Sequence, residues 1–301
     1  MKKGGFHIVA LLVVAIWGST FVSTKILLNY GLLPQDIFFY RFLMAYIGIW
    51  TFGKSRLFAK NLKDEFLLLL LGVSGGSLYF LAENMALQFT LASNVALIVC
   101  TTPILTALLS RLFLKTVKLG RFFVHGSLLA LCGVALVIFN GHFVLQLHPV
   151  GDFLCLVAAL AWAVYIIVIK HVDDRYSNLF ITRKVFFYGL LTILPVFIFK
   201  PLELDFTVLL QPVVLGNLVF LGLAASLACF FLWNVVIKKI GVVQSTNYLY
   251  INPIVTLITS AIFLDERITL MALGGAGLVL GGVVLASKIN SRMNKTKIGL
   301  N

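Results

Sequence analysis

The sequence predicts an all-α integral membrane protein, with ten transmembrane helices arranged as two inverted five-helix repeats. Three observations carry this expectation. The chain is 60% apolar and only 12% charged, about half the charged share of a soluble domain. Its apolar runs reach the roughly 20 residues that a helix needs to cross a hydrocarbon core of about 30 Å. Its second half also repeats the first. The 26 phenylalanines far exceed what a single soluble core of this length uses.

Expected spans cover residues 7–28, 35–53, 65–86, 91–114, 121–139, 150–170, 177–199, 212–235, 243–264 and 268–287. Met1, Lys2 and Lys3 lead directly into the first. Its apolar run is too long for a secretory signal and further spans follow, so it reads as an uncleaved helix. Short connections make neighbouring spans antiparallel. With the N-terminus in the cytoplasm, 18 of the Lys and Arg residues fall on the cytoplasmic side. Only Lys200 and Arg267 fall outside, and Lys25, Arg41, Arg183 and Lys184 lie within spans. That asymmetry predicts a cell-membrane protein with both termini cytoplasmic. It also explains the formal charge of +13 without nucleic acid, since no basic face is free of flanking apolar span. Cys100, Cys132, Cys155 and Cys229 each sit in an apolar run without CxxC spacing. They read as small core residues, not as a disulfide or metal framework.

The repeat is legible without gaps. Residues 71–114 align with 221–264, and 10 of the 44 pairs are identical. They include Phe80/Phe230, Asn84/Asn234, Pro103/Pro253 and Thr106/Thr256. Trp17 and Lys25 match Trp162 and Lys170, Arg41 matches Arg183, and Gly133-Val134 matches Gly282-Val283. Five spans per half is an odd number, so corresponding spans cross in opposite directions. The loops agree: Lys115-Thr116 is replaced by Asp265-Glu266, and Gln88-Phe89 by Lys238-Lys239. The halves are expected at residues 1–145 and 146–301. Inverted repeats accompany alternating access, with the site near midplane.

These residues resemble the EamA-type permeases of the drug/metabolite transporter superfamily. The likeness runs over nearly the whole chain. It rests on Trp17-Gly18-Ser19-Thr20-Phe21 with Lys25, then Phe39-Tyr40-Arg41-Phe42, Ala86-Leu87, Ala92-Ser93 and Pro103. In the second half it rests on Trp162, Ser226-Leu227, Trp233-Asn234, Gly241, Pro253 and Glu266. The family often has an acidic residue after the fourth span of each half; Glu266 keeps it and Thr116 does not. Glu266 is expected to cap a helix or loop. The resemblance implies a transporter, export of solute, and protons as the coupling ion. It names no substrate.

Charge inside the bilayer costs roughly 2.5–3.5 kcal/mol at midspan on insertion scales, so each case needs a reason. Lys25, Arg41 and Glu83 are expected at one depth near the outer side, where they form either an ion-pair gate or separate snorkelling and capping groups. Glu83 aligns with Trp233, so the inner end is expected to close by aromatic packing. Arg183 either meets an anionic group of substrate or contacts headgroups, and Lys184 is expected to matter less. Trp17 and Trp162 lie near midspan, away from the interfacial belt. They join Tyr79, Asn94, Tyr165, Asn247, Tyr248 and Asn252 as candidate substrate contacts, with interhelical hydrogen bonding as the plain alternative. Pro103 and Pro253 each remove a helical hydrogen bond and predict kinks. Gly274, Gly275, Gly277, Gly281 and Gly282 predict close packing on Gly126, Ala130 and Gly133, with dimerisation as the weaker alternative.

His7, His125, His142, His148 and His171 are scattered, without HExxH spacing or a Ser-His-Asp set. No catalytic residue, metal or cofactor is expected. The prediction is a secondary active transporter, an exporter, of a small metabolite such as an amino acid or related compound. The alternative is an anion or sugar-phosphate-type exchanger using Arg183. A membrane-embedded enzyme or lipid-handling protein is a third reading. Expected partners are the solute, the bilayer and protons, not nucleic acid, with the chain a monomer or weak homodimer.

Overall fold

The structure, a computed structural model, describes residues 3–53, 57–114, 121–139, 148–172, 174–203, 205–266, 269–271, 273–282 and 285. The described residues are helical with short connections, and they coincide with the expected apolar runs to within a few residues. In order, α1 is Lys3–Asn29, α2 Pro34–Ile49, α3 Leu62–Phe89, α4 Ala92–Leu114 and α5 Arg121–Phe139. Then come α6 Pro149–Ile169, α7 Asn178–Phe199, α8 Pro212–Ile240, α9 over 242–263, and α10 Leu273–Gly282. The expected boundary between halves, at residues 145 and 146, lies outside the described residues. So do Lys2, Lys54, Arg56, Lys115, Lys118, Arg267, Lys288, Arg292, Lys295 and Lys297, which entered the charge count. Thr116, His142 and Val283 lie outside them too.

Helix starts follow ordinary capping chemistry. Pro34, Pro149 and Pro212 occupy first turns, where the missing N–H costs nothing. The Asn61 side chain accepts from Asp64 N at 2.8 Å, and Ser177 Oγ from Phe180 N at 3.3 Å. Six described helices, α1, α3, α4, α6, α7 and α8, are long and apolar enough to cross a membrane. Two of the others are short or broken. α2 has 16 residues, about 24 Å at 1.5 Å per residue. α9 is interrupted by a 3₁₀ turn at Asn247–Ile251.

The outer faces are those of a multi-pass membrane protein. On α6, Phe153, Leu156 and Leu160 form an exposed stripe, while Ala158, Trp162 and Tyr165 are buried. Helical spacing of that kind, apolar on both faces, suits a lipid solvent. Cys100, Cys155 and Cys229 are buried, but Cys132 is exposed and so is not the core residue the sequence suggested. The glycines of α10 do pack on α5, most closely through Gly275 and Gly282. A Cβ on Gly282 would meet Gly126 O at 2.5 Å, and one on Gly133 would meet Gly275 O at 2.5 Å. Gly277 faces open space.

Both prolines mark helix breaks. α4 stops at Val99, turns at Cys100 and Thr101, and resumes with Pro103 in its first turn. In α9 the 3₁₀ turn ends at Ile251 and the helix resumes through Asn252 and Pro253. π-helical segments interrupt α3 at Val73–Ser77 and α8 at Phe220–Ala228. Such insertions re-aim the following turns and leave carbonyls without their usual partners.

Candidate substrate cavity

The cavity opens where these breaks meet α1. It contains about 460 Å³ of empty space, part of it open to solvent. Trp17, Arg41, Tyr79, Glu83, Trp162 and Asn252 line it, backed by Phe80, Cys100 and Thr102. Apolar walls with a few convergent polar groups are the usual makeup of a small-molecule site.

The Trp17-Gly18 pair explains how α9 reaches this place. A Cβ on Gly18 would lie 2.6 Å from Val255 Cβ and 3.0 Å from Asn252 O, so only glycine lets the helices approach so closely. Thr256 Oγ1 then donates to Gly18 O at 2.6 Å, which fixes the register and brings Asn252 beside Trp17. The Trp17 ring meets Trp162 edge-on at 5.2 Å and Trp233 at 5.1 Å. Its indole N–H donates to Ala225 O at 2.9 Å. Trp162 in turn stacks on Tyr165 at 5.0 Å and meets Tyr79 at 5.0 Å.

The two cavity charges are set by different elements. Arg41 on α2 is fully buried; its Nε donates to Ser226 Oγ at 3.0 Å, and its guanidinium lies 4.1 Å over the Phe80 ring. Glu83 on α3 is 1% exposed. Among the described residues the ion pairs are Arg175–Asp64, Lys184–Glu65 and Lys238–Asp174. Arg41 and Glu83 share a cavity without forming one. Lys25 stands apart from both, unlike the expected three-residue cluster. Its ammonium donates to the carbonyls of Leu87 and Thr90 at the C-terminal end of α3. Those carbonyls have no intrahelical partner and lie at the negative end of the helix dipole, within reach of the ammonium.

Of the other expected contacts, Trp17, Tyr79, Trp162 and Asn252 line the cavity. Tyr165 supports it from behind: its hydroxyl donates to Asn234 Oδ1 at 2.6 Å, and Asn234 Nδ2 donates to Thr182 Oγ1 at 3.0 Å. Trp233 is buried against Trp17. Asn94 donates to Thr90 Oγ1 at 3.2 Å near the start of α4. Tyr248 shares a 2.6 Å hydrogen bond with His7 Nδ1, and Asn247 is buried outside the cavity lining. Arg183 lies with its guanidinium 4.4 Å over Trp50 and is not among the lining residues.

Lys184 differs most from expectation. It is 4% exposed, paired with Glu65, and ringed by Phe58, Phe180, Phe187 and Tyr188 at 5.0 to 5.9 Å. Tyr188 donates to the same carboxylate. Glu65 comes from α3, far along the chain, so aligning the repeats did not reveal it. Phe80 and Phe230 were also missed as site residues, although their identity across the repeat was visible. Lys184→Gln is therefore expected to cost about 1.5–3 kcal/mol through the lost charged hydrogen bond. Arg183→Gln should cost about 0.5–2 kcal/mol, the worth of a cation–π contact, and leave flux near wild type. Melting curves of the two purified variants check the order; equal melting would reject the buried pair as a stabilising contact.

An all-helical membrane protein with an aromatic, charged cavity at helix breaks has the makings of a solute carrier. The chain belongs to the EamA-like transporter family, which it matches over residues 6–139 and 149–288. It is 28% identical over 287 residues to the uncharacterized transporter YdfC of Bacillus subtilis, covering 94% of this chain and 91% of the relative. It is 25% identical to a probable terminal-alkyne amino-acid exporter of Streptantibioticus cattleyicolor, covering 92% of each chain. A probable amino-acid metabolite efflux pump of Salmonella typhimurium is 26% identical over 94% of each chain. A solved crystal structure superposes with a TM-score of 0.71 over 96% of this chain and 99% of that one. At 16% identity that likeness carries the fold alone.

Proposed function

We propose that this protein is a secondary active exporter of a small metabolite, such as an amino acid or related compound, working by alternating access. The observation that carries the reading is the cavity itself, with one cation and one anion between aromatic walls where α4 and α9 are broken. The names of two relatives, an amino-acid exporter and an amino-acid metabolite efflux pump, support the solute class. Purified protein in liposomes, loaded with a metabolite mixture, tests the reading. Release of intact solute supports it, whereas chemical conversion without flux would point to an enzyme. An imposed pH gradient tests protons as the coupling ion. Arg183 lies away from the cavity lining, so nothing favours the exchanger that would use it. Transport is assigned to the monomer.

The architecture proposed is ten transmembrane helices in two inverted five-helix repeats, residues 1–145 and 146–301. Irregularities recur at the repeat offset, which supports it. The π segments of α3 and α8 correspond, and so do the breaks before Pro103 and Pro253. Contacts at the helix ends support the antiparallel order. His7 meets Tyr248 near the starts of α1 and α9, whereas Tyr40, early on α2, meets Glu203 between α7 and α8. Both termini are assigned to the cytoplasm. Reporter fusions after Lys63 and Lys288 are expected to read cytoplasmic and one after His148 external. An external C-terminus would overturn the topology. Gating is assigned to Lys25 outside and to the packing of Trp233 on Trp17 inside, while Arg41 and Glu83 face the solute space between.

A further inference from the structure

We propose that the cavity selects its solute by two opposite charges at once, Arg41 and the Trp162 indole taking a carboxylate while Glu83 and Asn252 take a primary ammonium. This deepens the transport reading and rests on it.

The argument starts from satisfaction of polar groups. Buried polar atoms in a folded protein nearly always have partners. Four atoms on the wall of this one cavity have none among the described residues: Arg41 Nη1, Trp162 Nε1, Glu83 Oε1 and Asn252 Oδ1. Their side chains are at least nine-tenths buried, with exposures of 0%, 5%, 1% and 8%. Two are donors and two are acceptors. Arg41 and Glu83 do not satisfy one another. The Arg41 head is held by Ser226 at Nε and by the Phe80 face, so its free edge is directed, not wandering.

Each simpler ligand fails on one side. A monoanion would suit Arg41 and be repelled by Glu83, and a monocation the reverse. A neutral solute would offer neither buried charge an oppositely charged partner in direct contact. A zwitterion such as a free amino acid presents three donors and a bidentate acceptor, so it complements both pairs in kind. Sites built to hydrogen-bond a group reject analogues lacking it far more strongly than sites that only measure size. The aromatic walls then receive the rest of the molecule.

The test is counterflow in liposomes holding the full-length protein, with three probe series in parallel: a mixture of free amino acids, the same amino acids as C-terminal amides, and the same as N-acetyl derivatives. Wild type is expected to exchange the free series at least about 100-fold faster than either capped series. Glu83→Gln should remove the preference for free over N-acetyl probes and keep that for free over amide probes. Arg41→Gln should do the opposite. A purely structural role would lower all three series together and leave the ratios unchanged. Trp162→Phe keeps an aromatic ring and removes only the donor. It should slow carboxylate-bearing probes and spare the amides, which guards against misfolding of the charge variants. Wild-type exchange of a capped series as fast as the free series, or unaltered ratios in folded variants, would overturn the inference and leave transport standing. No exchange of any series, with flux found for some other solute, would also overturn it. No flux of any metabolite would remove the transport reading itself.

Discussion

Trp17→Ala is expected to destabilise the protein by about 3–5 kcal/mol, the range for truncating a large buried aromatic, and to reduce flux to background. Trp17 meets Trp162, Phe230 and Trp233 with its ring. It also ties α1 to α8 by a specific bond. The π segment over Phe220–Ala228 disturbs the regular hydrogen-bond ladder, and the Trp17 indole donates to the Ala225 carbonyl within it. Truncation therefore opens a void and removes a buried partner at the same position. Trp17→Phe should keep most ring contacts and lose the bond, at a cost of about 0.5–1.5 kcal/mol for one neutral hydrogen bond. Thermal denaturation of detergent-purified protein, followed by the monodisperse fraction, would rank wild type above Trp17→Phe above Trp17→Ala. Near-equal melting of Trp17→Ala and wild type would mean that the aromatic cluster does not hold the helices together.

Much of this was legible in the chain, for physical reasons that differ by residue. Helix positions were readable because lipid demands apolar length, which composition alone reports. Trp17, Tyr79, Trp162 and Asn252 were readable because aromatic and amide groups at midspan need a cavity or a partner. Pro103 and Pro253 marked their breaks because a missing N–H acts locally. Partnership was not legible. Lys25 and Glu83 share an expected depth, yet the ammonium went to helix-end carbonyls whose position depends on where α3 stops. Lys184 looked like a surface cation until Glu65 arrived from a helix more than a hundred residues away. Tyr248 has the same residue type and surroundings as a site tyrosine, but the 3₁₀ turn from Asn247 to Ile251 presents it to His7. Periodicity assigns faces only while the helix keeps its period.

Glu266→Gln is expected to favour the outward-open state by about 5- to 30-fold, equivalent to roughly 1–2 kcal/mol. The reason is a junction held from both sides. α3 ends near Thr90 and α4 begins at Ala92. The Lys25 ammonium takes the Leu87 and Thr90 carbonyls on one side. The Glu266 carboxylate takes Ala92 N at 3.2 Å and Ser93 Oγ at 2.7 Å on the other. Each charge complements a helix end, and the two attract across the junction. Asp265 sits at φ 54, a left-handed turn that aspartate tolerates better than most residues, immediately before Glu266. Lys25 belongs to the first half and Glu266 to the second, so the junction cannot move away from α9 without breaking charge-assisted bonds. A contact made in one state and lost in the other biases their equilibrium by its differential free energy. The neutral amide that this substitution introduces keeps the shape and loses the charge. In a variant lacking all four native cysteines, Thr20→Cys places a thiol on the cavity wall. An impermeant thiol reagent added outside should label it faster once Glu266→Gln is introduced. Lys25→Met should act in the same direction, and the double variant should add less than the sum, because both groups hold one junction. Unchanged or slower labelling in a folded Glu266→Gln protein would reduce the contact to a helix cap with no part in closure.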